Sequence, residues 1–128
     1  MPVDIAKTDT TAMGNLPRVV YFDFDSYVVK DEYRSTVEAN AKVLSADLKK
    51  KVTIEGHTDD VGRDRSNTTL SLRRAEAVRT ALIRRGVAAN RLIAEGFGDT
   101  RPIADNTTEA GRARNRRIEI RAVSASPN

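Results

Sequence analysis

The alternation of strand-like and helix-like segments is the feature that most constrains how this chain folds. Four short segments rich in Val, Ile and aromatic residues have the composition of β-strands, and they begin near residues 18, 52, 91 and 116. Two longer segments carry apolar residues at helical spacing, one after the first strand and one after the second. This order predicts a two-layer α+β domain, an α/β sandwich in which the helices cover one face of the sheet.

The sequence indicates where each of the two helices begins and ends. The second is expected to start within the Asn, Thr, Thr cluster at 67–69 and to stop at Gly86, with arginines in its last turn, where the helix dipole favours cations. The first is expected over residues 31–48, because apolar side chains recur there at helical spacing: Tyr33, Val37, Ala41, Leu44 and Leu48.

The length and composition predict one folded unit over residues 18–123. A chain of 128 residues can bury about two-thirds of its unfolded surface. Residues 1–17 and 124–128 are small, polar and without pattern, which predicts a flexible N-terminal tail or linker and a C-terminal tail. No apolar run approaches the roughly 18 residues of a membrane span. The first residues do not resemble a secretory signal, and the absence of cysteine excludes disulfides and thiolate metal sites.

Arg74 is a charged residue in the middle of an apolar helix face. At about 100° per residue, that face of the second helix is formed by Leu70, Ala77, Val78 and Ala81. The arginine can extend along apolar surface to water, or it can close a buried ion pair. It lies one turn into a helix that follows a strand end, where α/β sheets tend to bind ligands. We therefore expect Arg74 to be buried, with an anion or the carboxylate of Asp59 within salt-bridge reach.

Asp59 and Arg74 together predict a dipolar pocket. Asp59 lies in the loop "GHTDDVG" at the carboxyl end of the second strand. Its carboxylate can accept from an ammonium group, while the planar guanidinium of Arg74 matches both oxygens of a carboxylate. A pocket with these two groups suits the head group of a free amino acid.

The stretch "FDFDS", residues 22–26, is similar to the way in which some phosphotransferases present an aspartate nucleophile. That chemistry also requires a lysine and a second acidic pair that converge on a metal-bound phosphate. No lysine follows Lys51, and the chain is too short to build a cap over a substrate. We therefore expect neither a catalytic residue nor enzymatic activity.

His57 is the only histidine of the chain. A single histidine near carboxylates such as Asp59 is a weak indication of a metal site. We expect His57 to be solvated at the end of its strand, and we expect no metal ion and no cofactor.

Three blocks of the sequence carry a family resemblance. In order, "VYFDFDSYVV", "VTIEGHTDDVGRDRSNTTLSLRRAEAVRTALIRRGV" and "RLIAEGFGDTRPIADNTTEAGRARNRRIEI" resemble the OmpA-like peptidoglycan-binding domain, over about residues 18–122. The opening block and the "RRA" are most similar to the peptidoglycan-associated lipoproteins of that family. Those lipoproteins carry an acylated cysteine, and this chain has no cysteine.

The resemblance implies a βαβαββ sandwich with a four-stranded mixed sheet, and a non-catalytic anchor that binds the diaminopimelate of the peptidoglycan stem. In that family, the positions of Asp59 and Arg74 bind the D-centre of diaminopimelate, and those of Phe24, Asp25 and Leu70 also touch the ligand. The resemblance implies a periplasmic domain at the outer membrane of a Gram-negative bacterium. Peptidoglycan and other envelope proteins are the implied partners, and contact with the membrane would come only from an anchor or parent protein outside this sequence.

A second class of function stays open because the chain carries a net charge of +4. An arginine-rich module can bind nucleic acid or another polyanion. The basic residues from Arg63 to Arg121 are interleaved with acids, however, and only three Phe and three Tyr are available for base stacking. We therefore keep polyanion binding as the alternative and expect no nucleic acid partner.

Overall fold

The computed structural model describes residues 16–123, which form one four-stranded sheet and its covering helices. The strands are β1 (Val19–Tyr21), β2 (Val52–Gly56), β3 (Leu92–Gly96) and β4 (Arg117–Ala122). The helices are α1 (Arg34–Ala46), α2 (Asp64–Arg84) and α3 (Glu109–Asn115), with short 3₁₀ turns at Asp31–Tyr33 and Ala89–Arg91.

The sheet is mixed, and its strand order is β1-β4-β2-β3. The last strand, β4, lies inside the sheet and runs antiparallel to both β1 and β2. Strands β2 and β3 are parallel and are connected through α2. The predicted α+β fold with a four-stranded mixed sheet is therefore confirmed.

The core lies between one face of the sheet and the two long helices. Strand alternation places Val52 and Ile54 of β2 on the buried face, beside Ile118 and Ile120 of β4. The helical side of the core consists of Val37, Ala41 and Leu44 from α1, and Ala75, Val78 and Leu82 from α2.

Three local features differ from the sequence predictions. Helix α2 begins at Asp64, so the expected start at 67–69 is wrong and those residues lie within its first turns. Helix α1 ends at Ala46, which leaves Leu48 exposed. Helix α3 was not predicted, because its seven residues have no apolar stripe. Its start is capped by Thr108, whose hydroxyl accepts from the backbone N–H of Gly111 at 3.0 Å.

Two glycines allow α2 to lie directly on the ends of β2 and β3. A Cβ atom on Gly56 would be 1.8 Å from the backbone oxygen of Ser71, and one on Gly96 would be 2.7 Å from the backbone nitrogen of Leu72. Only residues without a side chain permit this approach. The contact fixes α2, and with it Arg74, against the carboxyl end of β2.

The predicted tails lie outside the described residues, apart from Leu16 and Pro17. Leu16 packs against the core, and the carbonyl of Pro17 accepts a hydrogen bond from Asn40 Nδ2 at 2.9 Å. None of the helices described within residues 16–123 is long and apolar enough to cross a membrane.

Candidate functional site

A cavity of about 190 Å³ lies where the β1–α1 loop, the β2–α2 loop and the first turns of α2 meet. Its lining includes all five residues that the sequence proposed as ligand contacts: Phe24, Asp25, Asp59, Leu70 and Arg74. The fold thus brings together residues that are up to 50 positions apart in the chain.

Arg74 is fully buried at the inner end of this cavity. Its guanidinium donates to three backbone carbonyls, those of Ser26 at 2.7 Å, His57 at 3.0 Å and Asp23 at 3.1 Å. Burial lowers the pKa of Arg74 to about 10, and the negative charge of Asp59 opposes this effect. The group therefore remains a cation at neutral pH, held between two loops.

The hydrogen bonds of Arg74 leave part of the guanidinium available. An arginine has five N–H donors, and three of its hydrogen bonds are made to residues within the described chain. The donors that remain belong to a buried cation beside a cavity. They can bind a carboxylate that enters from solvent, and desolvation makes such a bond stronger than it would be at a surface.

Asp59 is also buried, but its ion pair is made with Arg116. Asp59 Oδ2 lies 3.2 Å from Arg116 Nη1, and Oδ1 accepts from the backbone N–H of Val61 at 3.1 Å. The charge of Asp59 is therefore compensated by an ion pair with Arg116, whereas the hydrogen bonds of Arg74 go to backbone carbonyl oxygens. A carboxylate has about four acceptor positions, so Asp59 retains capacity for an ammonium ligand.

Arg116 is a residue of the cavity to which the sequence analysis gave no role. It links Asp59 to Glu109 at 3.0 Å and donates to the carbonyl of Phe22 at 3.2 Å. Burial acts to lower the pKa of Arg116, but the hydrogen bonds to Glu109 and Asp59 raise it overall. The signal in the sequence was the arginine pair at the start of β4, of which Arg116 precedes the strand and lines the cavity while Arg117 is its first residue.

Asn67 adds an unused donor to the same cavity. Its residue is 4% exposed, and Nδ2 has no hydrogen-bond partner among the described residues. Near it, Asp25 adopts a positive φ of 54°, a conformation that is uncommon outside glycine and enriched in Asp and Asn. Phe24 is 60% exposed beside Asp25, at the rim. The cavity therefore combines three buried charges, those of Asp59, Arg74 and Arg116, with a free amide donor and an exposed aromatic edge.

His57 is buried rather than solvated, so the expectation for this residue was wrong. It is 2% exposed, because its ring stacks on Phe97 with a centroid distance of 5.6 Å. Among residues 16–123, the one cluster of three potential metal ligands consists of Glu55, His57 and Glu119, and Asp59 is not part of it.

Comparisons with known proteins agree with this architecture. The sequence matches the OmpA family over residues 21–116. It is 47% identical over 100 residues to outer membrane porin F of Pseudomonas fluorescens, a match that covers 78% of this chain and 31% of the porin. It is 38% identical over 101 residues to the peptidoglycan-associated lipoprotein of Pasteurella multocida, covering 79% of this chain and 67% of the lipoprotein.

A solved structure shows the same fold. The crystal structure of the peptidoglycan-associated lipoprotein from Burkholderia pseudomallei aligns with a TM-score of 0.81 at 39% identity, covering 83% of this chain and 90% of that chain. This chain corresponds to about a third of the porin's length. The similarity therefore concerns this domain, and not the remainder of the porin.

Proposed function

Because this chain belongs to the OmpA family, we propose that it binds peptidoglycan non-covalently through the diaminopimelate of the stem peptide. The observation that carries the proposal is a cavity in which a buried carboxylate, Asp59, and a buried guanidinium, Arg74, both retain hydrogen-bonding capacity. The relatives named peptidoglycan-associated lipoprotein support peptidoglycan as the polymer that is bound, and the choice of diaminopimelate within it rests on the groups of the cavity.

The chemistry of diaminopimelate matches the groups of the cavity. Its D-centre carries an ammonium and a carboxylate on one carbon. Asp59 receives the ammonium, while Arg74 and the Nδ2 of Asn67 donate to the carboxylate. Phe24 and Leu70 flank the aliphatic part of the ligand, and Asp25 closes the rim.

The domain thereby acts as an anchor between the cell wall and the outer envelope. We assign it to the periplasm at the outer membrane, in keeping with the names of its relatives. No catalytic step is part of this function. Asp23, the residue placed as a phosphotransferase nucleophile, is exposed and its Oδ1 is 2.9 Å from Lys30 Nζ. We expect no turnover of an aryl phosphate with magnesium, and turnover that Asp23→Asn abolishes would contradict this.

A titration with defined stem peptides tests the ligand assignment. We expect calorimetry to give the affinity order diaminopimelate stem, amidated diaminopimelate stem, lysine stem, because lysine has no carboxylate beside its side-chain amine. The absence of the ligand carboxylate beside the buried guanidinium of Arg74 should cost about 2 to 5 kcal/mol of binding free energy, or at least tens-fold in affinity. Equal affinity for the diaminopimelate and lysine stems would show that Arg74 is a structural residue.

Paired variants separate binding from folding. Arg74→Lys retains the charge but not the planar guanidinium, so it should reduce the differences in affinity among the three stem peptides. Arg73→Lys makes the same change on the exposed neighbour and should leave them intact. Asp59→Asn should abolish binding, while Asp31→Asn, a change at a side chain that is 98% exposed, should not. An Asp59→Asn protein that binds like the parent would refute the assignment.

Salt dependence distinguishes this function from polyanion binding. Affinity for a polyanion falls steeply with salt, because several counterions are released, whereas one buried pocket responds far less. Fewer arginines are available at the surface than the sequence suggests, because five within residues 16–123 are buried: Arg18, Arg74, Arg91, Arg116 and Arg117. This burial supports the peptidoglycan proposal over the alternative.

A further inference from the structure

A second cluster of titratable groups lies on the face of the sheet that the long helices do not cover. Glu55 of β2 is the direct cross-strand partner of Glu119 on β4 and of Glu95 on β3. Three carboxylates therefore form one row across three strands. Like charges that lie directly opposite each other destabilise a sheet unless a cation lies between them.

His57 completes this cluster from the position directly after β2, two residues beyond Glu55. Neither of its ring nitrogens has a hydrogen-bond partner among the described residues, although the side chain is almost fully buried. One ligand atom from each of Glu55, His57 and Glu119 lies within 4.8 Å of the other two. A cavity of about 420 Å³ opens onto these three side chains. A neutral imidazole has one nitrogen lone pair that is free to bind a metal ion.

A guanidinium already occupies the position between the two glutamates. Arg121 Nε lies 3.1 Å from Oε1 of Glu55 and 3.1 Å from Oε1 of Glu119. Its side chain is 50% exposed, so it can move into water. Arg117 holds the other oxygen of Glu119, Oε2, at 2.6 Å and is buried. Displacement of Arg121 alone would therefore free one oxygen of each carboxylate beside His57.

We propose that Glu55, His57 and Glu119 form a binding site for a divalent transition metal of the zinc class, and that the ion replaces the guanidinium of Arg121. One neutral imidazole and two carboxylates are ligands that Zn²⁺ accepts, with bonds of about 2.0 to 2.2 Å. Tetrahedral bonds of this length put ligand atoms roughly 3.4 Å apart, so side-chain movements on the order of 1 Å complete the site.

The arginines around the cavity set the strength of the site. Arg101 and Arg117 remain near the ion and repel it, so the metal binds more weakly than in a closed structural site. The same arginines make an oxyanion the competing occupant of this cavity. The two occupants respond in opposite ways to Arg121. Removal of its positive charge should strengthen the binding of a metal ion and weaken the binding of an anion.

The single histidine makes the test direct, because ¹⁵N side-chain NMR of the untagged chain reports one imidazole. We expect Zn²⁺ to shift one ring nitrogen of His57. Arg121→Gln should tighten Zn²⁺ binding by on the order of tenfold, and Glu55→Gln should weaken it by a similar factor. Arg34→Gln, which removes an exposed arginine elsewhere, should change nothing.

Three results would overturn the proposal. The first is that Zn²⁺ shifts no imidazole resonance in either the parent chain or Arg121→Gln. The second is that Glu55→Gln leaves Zn²⁺ binding unchanged. The third is that sulfate shifts the resonances of His57 while Zn²⁺ does not. Glu55 is a partly exposed strand residue, so Glu55→Gln should fold, and a circular dichroism spectrum checks this before titration. None of these measurements involves peptidoglycan, so the outcome is independent of the proposed function.

Discussion

Gly56→Ala probes the contact that positions the ligand cavity. A Cβ at Gly56 would lie 1.8 Å from the Ser71 oxygen and 2.7 Å from the Ser71 carbonyl carbon, whereas ordinary contact begins at 3.4 Å. Both obstructing atoms are backbone, so α2 must retreat by about 1.6 Å, the difference between 3.4 and 1.8 Å. Overpacking of this kind costs about 1 to 3 kcal/mol.

The retreat of α2 has a second cost at Arg74, which lies about one turn further along the helix. Its bonds to the carbonyls of Ser26, His57 and Asp23 are already 2.7, 3.0 and 3.1 Å long, and the loss of one hydrogen bond to a charged group costs about 1.5 to 3 kcal/mol. We therefore expect Gly56→Ala to lose about 3 to 5 kcal/mol of unfolding free energy, a large fraction of the total for a domain of this size.

Gly86→Ala is the matched control for this variant. Gly86 has a φ of 96° and no atom within 4 Å of the position that a Cβ would occupy, so alanine there is strained but does not clash. The control should lose about 1 to 2 kcal/mol. Urea unfolding followed by far-ultraviolet circular dichroism measures both, and a failure of Gly56→Ala to fold is the limiting form of the same result. A loss for Gly56→Ala no larger than that for Gly86→Ala would refute the close-contact argument.

Three further predictions concern buried polar groups. Because the pKa of His57 is about 4 in the fold against 6.5 as its ordinary value, its contribution to stability is complete above pH 6.5 and is lost as the pH falls through 4. This loss is about 3 kcal/mol. Urea unfolding of His57→Gln in chelating buffer should therefore show an unfolding free energy that depends less on pH than that of the parent, and an unchanged pH dependence would contradict the assignment. Asn115→Ala should lose about 2 to 4 kcal/mol in the same assay, because Asn115 Oδ1 accepts from the backbone N–H groups of Ile103 and Ala104, which would be left unpaired. Arg91→Met should lose about 2 to 3 kcal/mol, because Arg91 donates to three carbonyls near the end of α1, and a loss below that of an exposed arginine such as Arg34 would count against this capping role.

The parts of the fold that follow local periodicity were predictable from the sequence. The four strands and two long helices were identified from apolar spacing, and the burial of Arg74 was read from its place on a helical face. The boundaries were less secure, since Leu48 continues the apolar spacing although α1 ends at Ala46, and α2 begins at Asp64, before the Asn, Thr, Thr cluster at 67–69. Helix α3 has no apolar stripe and was missed for that reason.

The parts that depend on distant contacts were not predictable. Arg116 reaches Asp59 across 57 positions of sequence, and nothing local to either residue shows that they meet. His57 is buried because Phe97, which follows a different strand, stacks on its ring. From the residues alone, the cavity could be anticipated only as a pair of opposite charges, and the family resemblance added Phe24, Asp25 and Leu70. The hydrogen bonds that hold the two charges required the three-dimensional arrangement.

The place of β1 at the edge of the sheet decides how the domain would respond to mechanical tension. A pull on the chain ahead of Leu16 loads the contacts of Leu16 and Pro17 and then β1, the first strand it meets, which is only three residues long and pairs with β4 alone. Two residues later, the carbonyl of Asp23 is held by Arg74. Tension on the edge strand would therefore act directly on the wall of the ligand cavity. The affinity for the ligand and the force needed to detach β1 from β4 would be coupled.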